Sequence, residues 1–92
     1  MRNEGIEKMA IDVFKTMIDN GDLAKLSGSS IKVYLVIKAH IDSRTGKSSP
    51  LIKTISEKSG VSIAQVKREL IVLQKMGYVT KTKSGRNNVY KI

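Results

Sequence analysis

Apolar residues at the start of the chain recur every three or four positions, as Ile6, Met9, Ala10, Val13, Phe14, Met17 and Ile18, with polar residues between them and Asn20-Gly21 at the end. That spacing predicts an amphipathic helix over about residues 4–20, stopped by the glycine. Asp22 to Leu26 reads as a short helical turn. The hydroxyls of Ser27-Gly28-Ser29-Ser30 suit an N-cap, so a second helix is placed over about residues 31–42, with Ile31, Tyr34, Leu35, Ala39 and Ile41 facing inward. Ser43 to Pro50 is polar, carries turn residues at Thr45-Gly46 and ends in a proline, which predicts a loop with room for a short edge strand.

The second half is punctuated more sharply. A helix over about residues 51–59 ends at Gly60, a residue type that accepts the left-handed backbone of a helix C-terminus. Only Val61 separates it from Ser62, which opens a capping box, Ser62-Ile63-Ala64-Gln65. The next helix therefore spans about residues 62–76, with Val66, Leu70 and Leu73 inward and Gly77 as its stop. Alternation then gives two strands, about residues 78–83 and 88–92, around Ser84-Gly85-Arg86-Asn87. The fold class is mainly α with a small β-hairpin, in one domain over residues 1–92.

Charge changes this picture because of where it falls. The net charge is +9, yet residues 1–42 balance six bases against six acids, and residues 43–92 hold eleven bases against two acids. A polyanionic partner for the second half follows. With no cysteine and one histidine, His40, neither a disulfide framework nor a tetrahedral metal site is expected, and no cofactor is called for. The single histidine and the lack of a glycine-rich phosphate loop argue against catalysis. No apolar run approaches a membrane span and residues 1–11 lack a signal-peptide layout, so a cytoplasmic protein with neither membrane nor small-molecule ligand is expected.

Two helices joined by a tight glycine turn, the second one capped and basic, form the geometry by which a helix enters the DNA major groove. Ser62, Ile63, Ala64, Gln65, Lys67 and Arg68 are the candidate contacts on that helix. Gln65 suits adenine, Arg68 guanine, Ile63 and Ala64 a thymine methyl, and Ser62 and Lys67 phosphate or flanking bases. Lys81, Lys83, Arg86 and Asn87 would extend the footprint from the hairpin. Ser49, Lys53 and Thr54 are candidates for clamping the DNA backbone.

The run Pro50-Leu-Ile-Lys-Thr-Ile-Ser-Glu-Lys-Ser-Gly-Val-Ser62, continued by Gln65-Val-Lys-Arg-Glu-Leu70 and Leu73-Gln-Lys-Met-Gly-Tyr-Val79, resembles the winged helix-turn-helix DNA-binding family. It looks most like small bacterial and archaeal transcriptional regulators and the DNA-binding domains of plasmid and phage replication initiators. The resemblance covers about residues 29–92, leaving residues 1–26 as an extra N-terminal helical extension. It implies that the helix from Ser62 is the recognition helix and the hairpin the wing. The chain departs from the pattern at Glu69, where a small apolar residue commonly packs, and at Ile71 and Val72, where charged residues are usual. The N-terminal helix or a second subunit is expected to cover Ile71 and Val72.

Sequence-specific binding of double-stranded DNA in transcriptional regulation is the leading expectation. A replication-initiation or partition protein, and a winged-helix protein-interaction module, stay open beside it. The apolar face of the first helix is read either as packing on the chain's own core or as a homodimer interface formed by Met9, Val13, Phe14 and Met17.

Overall fold

The computed structural model describes residues 13–84 and 87–92, with the side chains of residues 84–87 outside that description. Helix α1 is described over residues 13–19 and is followed by α2 (Asp22–Lys25) and α3 (Gly28–Ala39). Strands β1 (Ile41–Asp42) and β2 (Lys47–Ser48) come next, then helices α4 (Ile52–Ser59) and α5 (Ile63–Lys75), and strands β3 (Thr80–Ser84) and β4 (Asn87–Lys91) close the chain. The predicted helical residues 4–12, Met9 among them, and Arg86 lie outside the described residues.

Ser27 sets the frame of the central helix. Its hydroxyl accepts from the Ser30 amide at 3.1 Å, so α3 begins three residues before the expected start. The buried face becomes Ser30, Val33, Tyr34 and Ile37, an i, i+3, i+4, i+7 stripe. Leu35 and Ala39, expected inward, are exposed. Apolar residues surround this helix on all sides, so periodicity alone does not select its inner face.

Residues 40–42 do not continue α3 as expected. The His40 amide donates to the Ile37 carbonyl at 3.1 Å, a tightened last turn, and the chain leaves as β1. Asp42 closes the following turn, its carbonyl accepting from the Gly46 amide at 2.8 Å and its carboxylate from the Arg44 amide at 2.8 Å. Gly46 there has φ 71°, as the Thr45-Gly46 turn chemistry anticipates. The short strand expected in this loop is β2, but it is interior to the sheet, whose antiparallel order is β1-β2-β4-β3. Buried Ser48 explains the position, because its hydroxyl donates to the Ile37 carbonyl at 2.8 Å and pins β2 to the end of α3.

Helix α4 meets α5 through Gly60, φ 74°, as expected. The Ser56 hydroxyl donates to the Val61 carbonyl at 2.6 Å and the Val61 amide to the Ser59 hydroxyl at 3.2 Å, so both sides of the turn are braced. Val61 fills the angle between the helices at 7 % exposure. At the far end of α5 the Gly77 amide donates to the Gln74 carbonyl and the Tyr78 amide to the Leu73 carbonyl, a Schellman closure around glycine at φ 84°.

The core joins Val33, Tyr34 and Ile37 of α3 to Ile55 of α4, Val66, Leu70 and Leu73 of α5, Val79 and Tyr90 of the sheet, and Met17 and Leu26 from the N-terminal region. Met17 is 1 % exposed, with Val13 and Phe14 packed partly buried beside it. Phe14 meets Tyr34 edge-on at 6.2 Å, and the Tyr78 hydroxyl donates to Asp22 at 2.6 Å. Of the two readings of this face, packing on the chain's own core accounts for Met17, with Val13 and Phe14 partly buried against that core, while Ile18 of the same stripe is exposed.

Candidate nucleic-acid interface

Strand register decides which way each basic residue of the hairpin points. Side chains directly opposite one another share a face of the sheet, so Lys81 lies on the side of its partner Tyr90, and Lys83 two residues on shares that side with Asn88. Tyr90 is fully buried, which makes this the inner face, turned toward the helices. Lys81 and Lys83 are nevertheless exposed, on the last strand of the sheet.

Lys81 there lines a groove shared with α5. This shallow groove is lined by Ile52 at the start of α4, by Lys67, Leu70, Ile71 and Gln74 along one stripe of α5, and by Lys81 of β3. Two ammonium groups from different elements thus flank an apolar floor. Of the residues expected on the second helix, Ser62, Ile63, Ala64, Lys67 and Arg68 are exposed, whereas Gln65 is half-buried. Lys67, Arg68, Lys81 and Lys83 form no ion pair with a carboxylate among the described residues, where the pairs present are Lys15–Asp19 and Arg44–Asp42.

The remaining expectations distribute less evenly. Ser49 and Lys53 are exposed and Thr54 half-buried around the start of α4, near the groove in sequence but outside its lining. Asn87 pairs with Ser84 through the β3–β4 ladder, and its side chain is not described. Ile71 and Val72 are 52 % and 36 % exposed, so the described part of the N-terminal region does not cover them as expected. Helix α1 is occupied on the α3 side, and Ile71 instead forms part of the groove floor.

The capping box at Ser62 is half realised. Its hydroxyl accepts from the Gln65 amide at 3.2 Å, but the Gln65 side chain does not return to Ser62. It runs one turn forward, and Nε2 donates to Glu69 Oε2 at 3.0 Å. Glu69 has moved from an anomaly in the pattern to the centre of a buried network. The Ser27 hydroxyl donates to its Oε2 at 2.8 Å and the Ser30 hydroxyl to its Oε1 at 2.9 Å, while the residue is 5 % exposed. Four polar groups satisfied together make the burial tolerable. The one signal in the sequence is the i, i+4 spacing of Gln65 and Glu69; the serines 42 and 39 residues upstream give none.

Burial by itself raises the carboxyl pKa of Glu69, but hydrogen bonds from Gln65, Ser27 and Ser30 and the nearby Arg68 charge outweigh it and hold it below the ordinary 4.5. A lowered folded-state value means that the ionised carboxylate contributes stability above the unfolded pKa, lost as pH falls through the folded one. Denaturant titrations at descending pH should show the unfolding free energy falling below pH 4.5, and less steeply in Glu69→Gln. Equal pH profiles for the two proteins would contradict this assignment.

Among the described residues, no helix is long and apolar enough to cross a membrane, and no cluster of three or more His, Cys, Asp or Glu is placed to hold a metal ion. Helices α3, α4 and α5 packed around one core, a braced glycine turn between α4 and α5, an exposed face on the capped α5 and an antiparallel hairpin define a winged helix-turn-helix. A family model described as a helix-turn-helix domain matches residues 24–79, and the chain belongs to that family. The matched segment runs from α2 through the end of α5 to Val79. No match to the chain is found among curated proteins. Membership in the helix-turn-helix family makes DNA the expected partner, in a family that is typically non-enzymatic.

Proposed function

We propose that this protein binds double-stranded DNA in a sequence-dependent manner and acts in transcriptional regulation, by occupying a site that polymerase or another factor would use. The first two turns of α5 enter the major groove, and the β3–β4 hairpin lies along the flanking backbone. The observation that carries this reading is the groove walled by Lys67 and Lys81. It sets a helix that exposes Ile63, Ala64 and Arg68 beside a basic strand, on one side of the molecule. Its apolar floor suits the sugar edge of a strand whose phosphates meet the two lysines. These lysines fix position and affinity, and Arg68 and Gln65 supply base readout.

Binding of site-selected and random duplexes tests the division of labour. Arg68→Ala is expected to cost about 1–3 kcal/mol on the selected site and to relax base choice, because a guanidinium that reads guanine acts only there. Lys83→Ala should weaken all duplexes alike and flatten the salt dependence by about one unit. Equal losses for Arg68→Ala on selected and random DNA would remove its base-reading role.

A further inference from the structure

Resting on the DNA-binding reading, we propose that Glu69 is a positioning residue for base choice. It fixes the Gln65 amide with its NH2 group inward and Oε1 outward, so that Gln65 favours a base presenting an amino group in the major groove. Adenine fits best.

The argument begins with what a carboxylate can do. Ionised Glu69 only accepts hydrogen bonds, so the Gln65 atom beside it must be Nε2, as the 3.0 Å contact has it. Turning the amide over would set Oε1 against Oε2. Glu69 itself cannot swing away, because hydroxyls from Ser27 and Ser30 at the start of α3 hold both of its oxygens. An unrestrained glutamine on a helix surface turns either way and therefore offers donors or an acceptor to whatever base it meets.

With one N–H committed to Glu69, the outward part of Gln65 is Oε1 together with the second N–H of Nε2. Adenine presents an N6 amino donor and the N7 acceptor, which match both. Cytosine matches through its N4 amino group alone. Guanine O6 and thymine O4 are acceptors and would face Oε1. Discrimination at this base pair is thus set by a residue that never touches DNA, and is tied through Ser27 and Ser30 to a helix outside the interface.

Glu69→Gln is the informative variant, since it keeps shape and can still satisfy the serines, but can meet either orientation of Gln65. Competition binding of the full-length protein should be read at the base pair where Gln65→Ala abolishes preference. Wild type is expected to favour adenine over guanine by about tenfold or more, and Glu69→Gln by less than about threefold, with affinity for random duplex held within about twofold. Ser30→Ala retains the carboxylate but loses one of its holders, so it should fall between them, and it carries the comparison should Glu69→Gln fail to fold. Retention of the full adenine preference in both variants overturns the proposal.

The free protein supplies a separate arm. In NMR spectra the Gln65 side-chain NH2 pair should be resolved by its fixed contact and collapse toward ordinary exposed values in Glu69→Gln. An unchanged pair overturns the fixed orientation. A wild-type protein that selects no duplex at all refutes the DNA-binding reading and the base preference with it, whatever this arm shows.

Discussion

Wild-type protein and a Lys67→Gln, Lys81→Gln, Lys83→Gln triple variant should differ by about 10²–10³-fold in duplex affinity near 0.1 M salt, with a salt dependence shallower by roughly two to three units. Each ammonium group that neutralises one phosphate releases about 0.9 counterion, which near that salt concentration is worth close to a factor of ten. The three lysines lie on one side, two walling the groove beside α5 and the third further along the inner face of β3. A Lys47→Gln, Lys91→Gln variant is the control. These two residues pair directly across β2 and β4, one position out of phase with buried Ser48 and Tyr90, and so occupy the outer face. Removing them should leave affinity within a few-fold by the same counterion reasoning. If both variants lose affinity in proportion to charge removed, placement has no role and only net charge attracts the DNA.

Met17→Ala should destabilise the fold by about 2–5 kcal/mol, a large share of the roughly 5–15 kcal/mol typical of a domain. The side chain is 1 % exposed within the core that joins α1 to α3, and truncation leaves a cavity that the surrounding helices fill only in part. The melting temperature should drop by about 4–8 °C for each kcal/mol lost. Because the lost contacts are internal, this drop is expected to be independent of protein concentration, with the solution mass unaltered. A stable variant with reduced solution mass would instead return Met17 to a subunit interface.

The helix-turn-helix was legible because its boundaries are written in local chemistry. Gly60 needs a positive φ, Ser62 caps the next amide run and Gly77 closes a Schellman turn, each within a few residues of the feature it controls. The hairpin and the outward residues Ile63, Ala64, Lys67 and Arg68 followed from the same periodicities. What escaped depends on partners distant in sequence. The inner face of α3 is decided by Ser27 capping and by what packs on it, since Leu35 and Val36 are as apolar as Val33 and Ile37. Strand β1 falls where the sequence predicts the end of a helix, and β2 where it predicts an edge strand; with two residues each, neither shows an alternating pattern, and their places come from pairing with each other and with β4. Glu69 is intelligible only beside serines about forty residues away. The charge count, finally, cannot say that Lys81 and Lys47 lie on opposite faces of one sheet.

Strand β3, at the free edge of the sheet, has a second consequence. An open edge offers unpaired amides and carbonyls to the strand of another molecule, and lysines along it are a common deterrent to such growth. At the other end of the sheet, β1 is protected by having only two residues. On β3 that protection comes from exposed Lys81 and Lys83, the pair proposed above to meet phosphate. If the proposed DNA contacts hold, solubility and nucleic-acid affinity rest on the same two side chains, and a substitution that removed one would weaken the other.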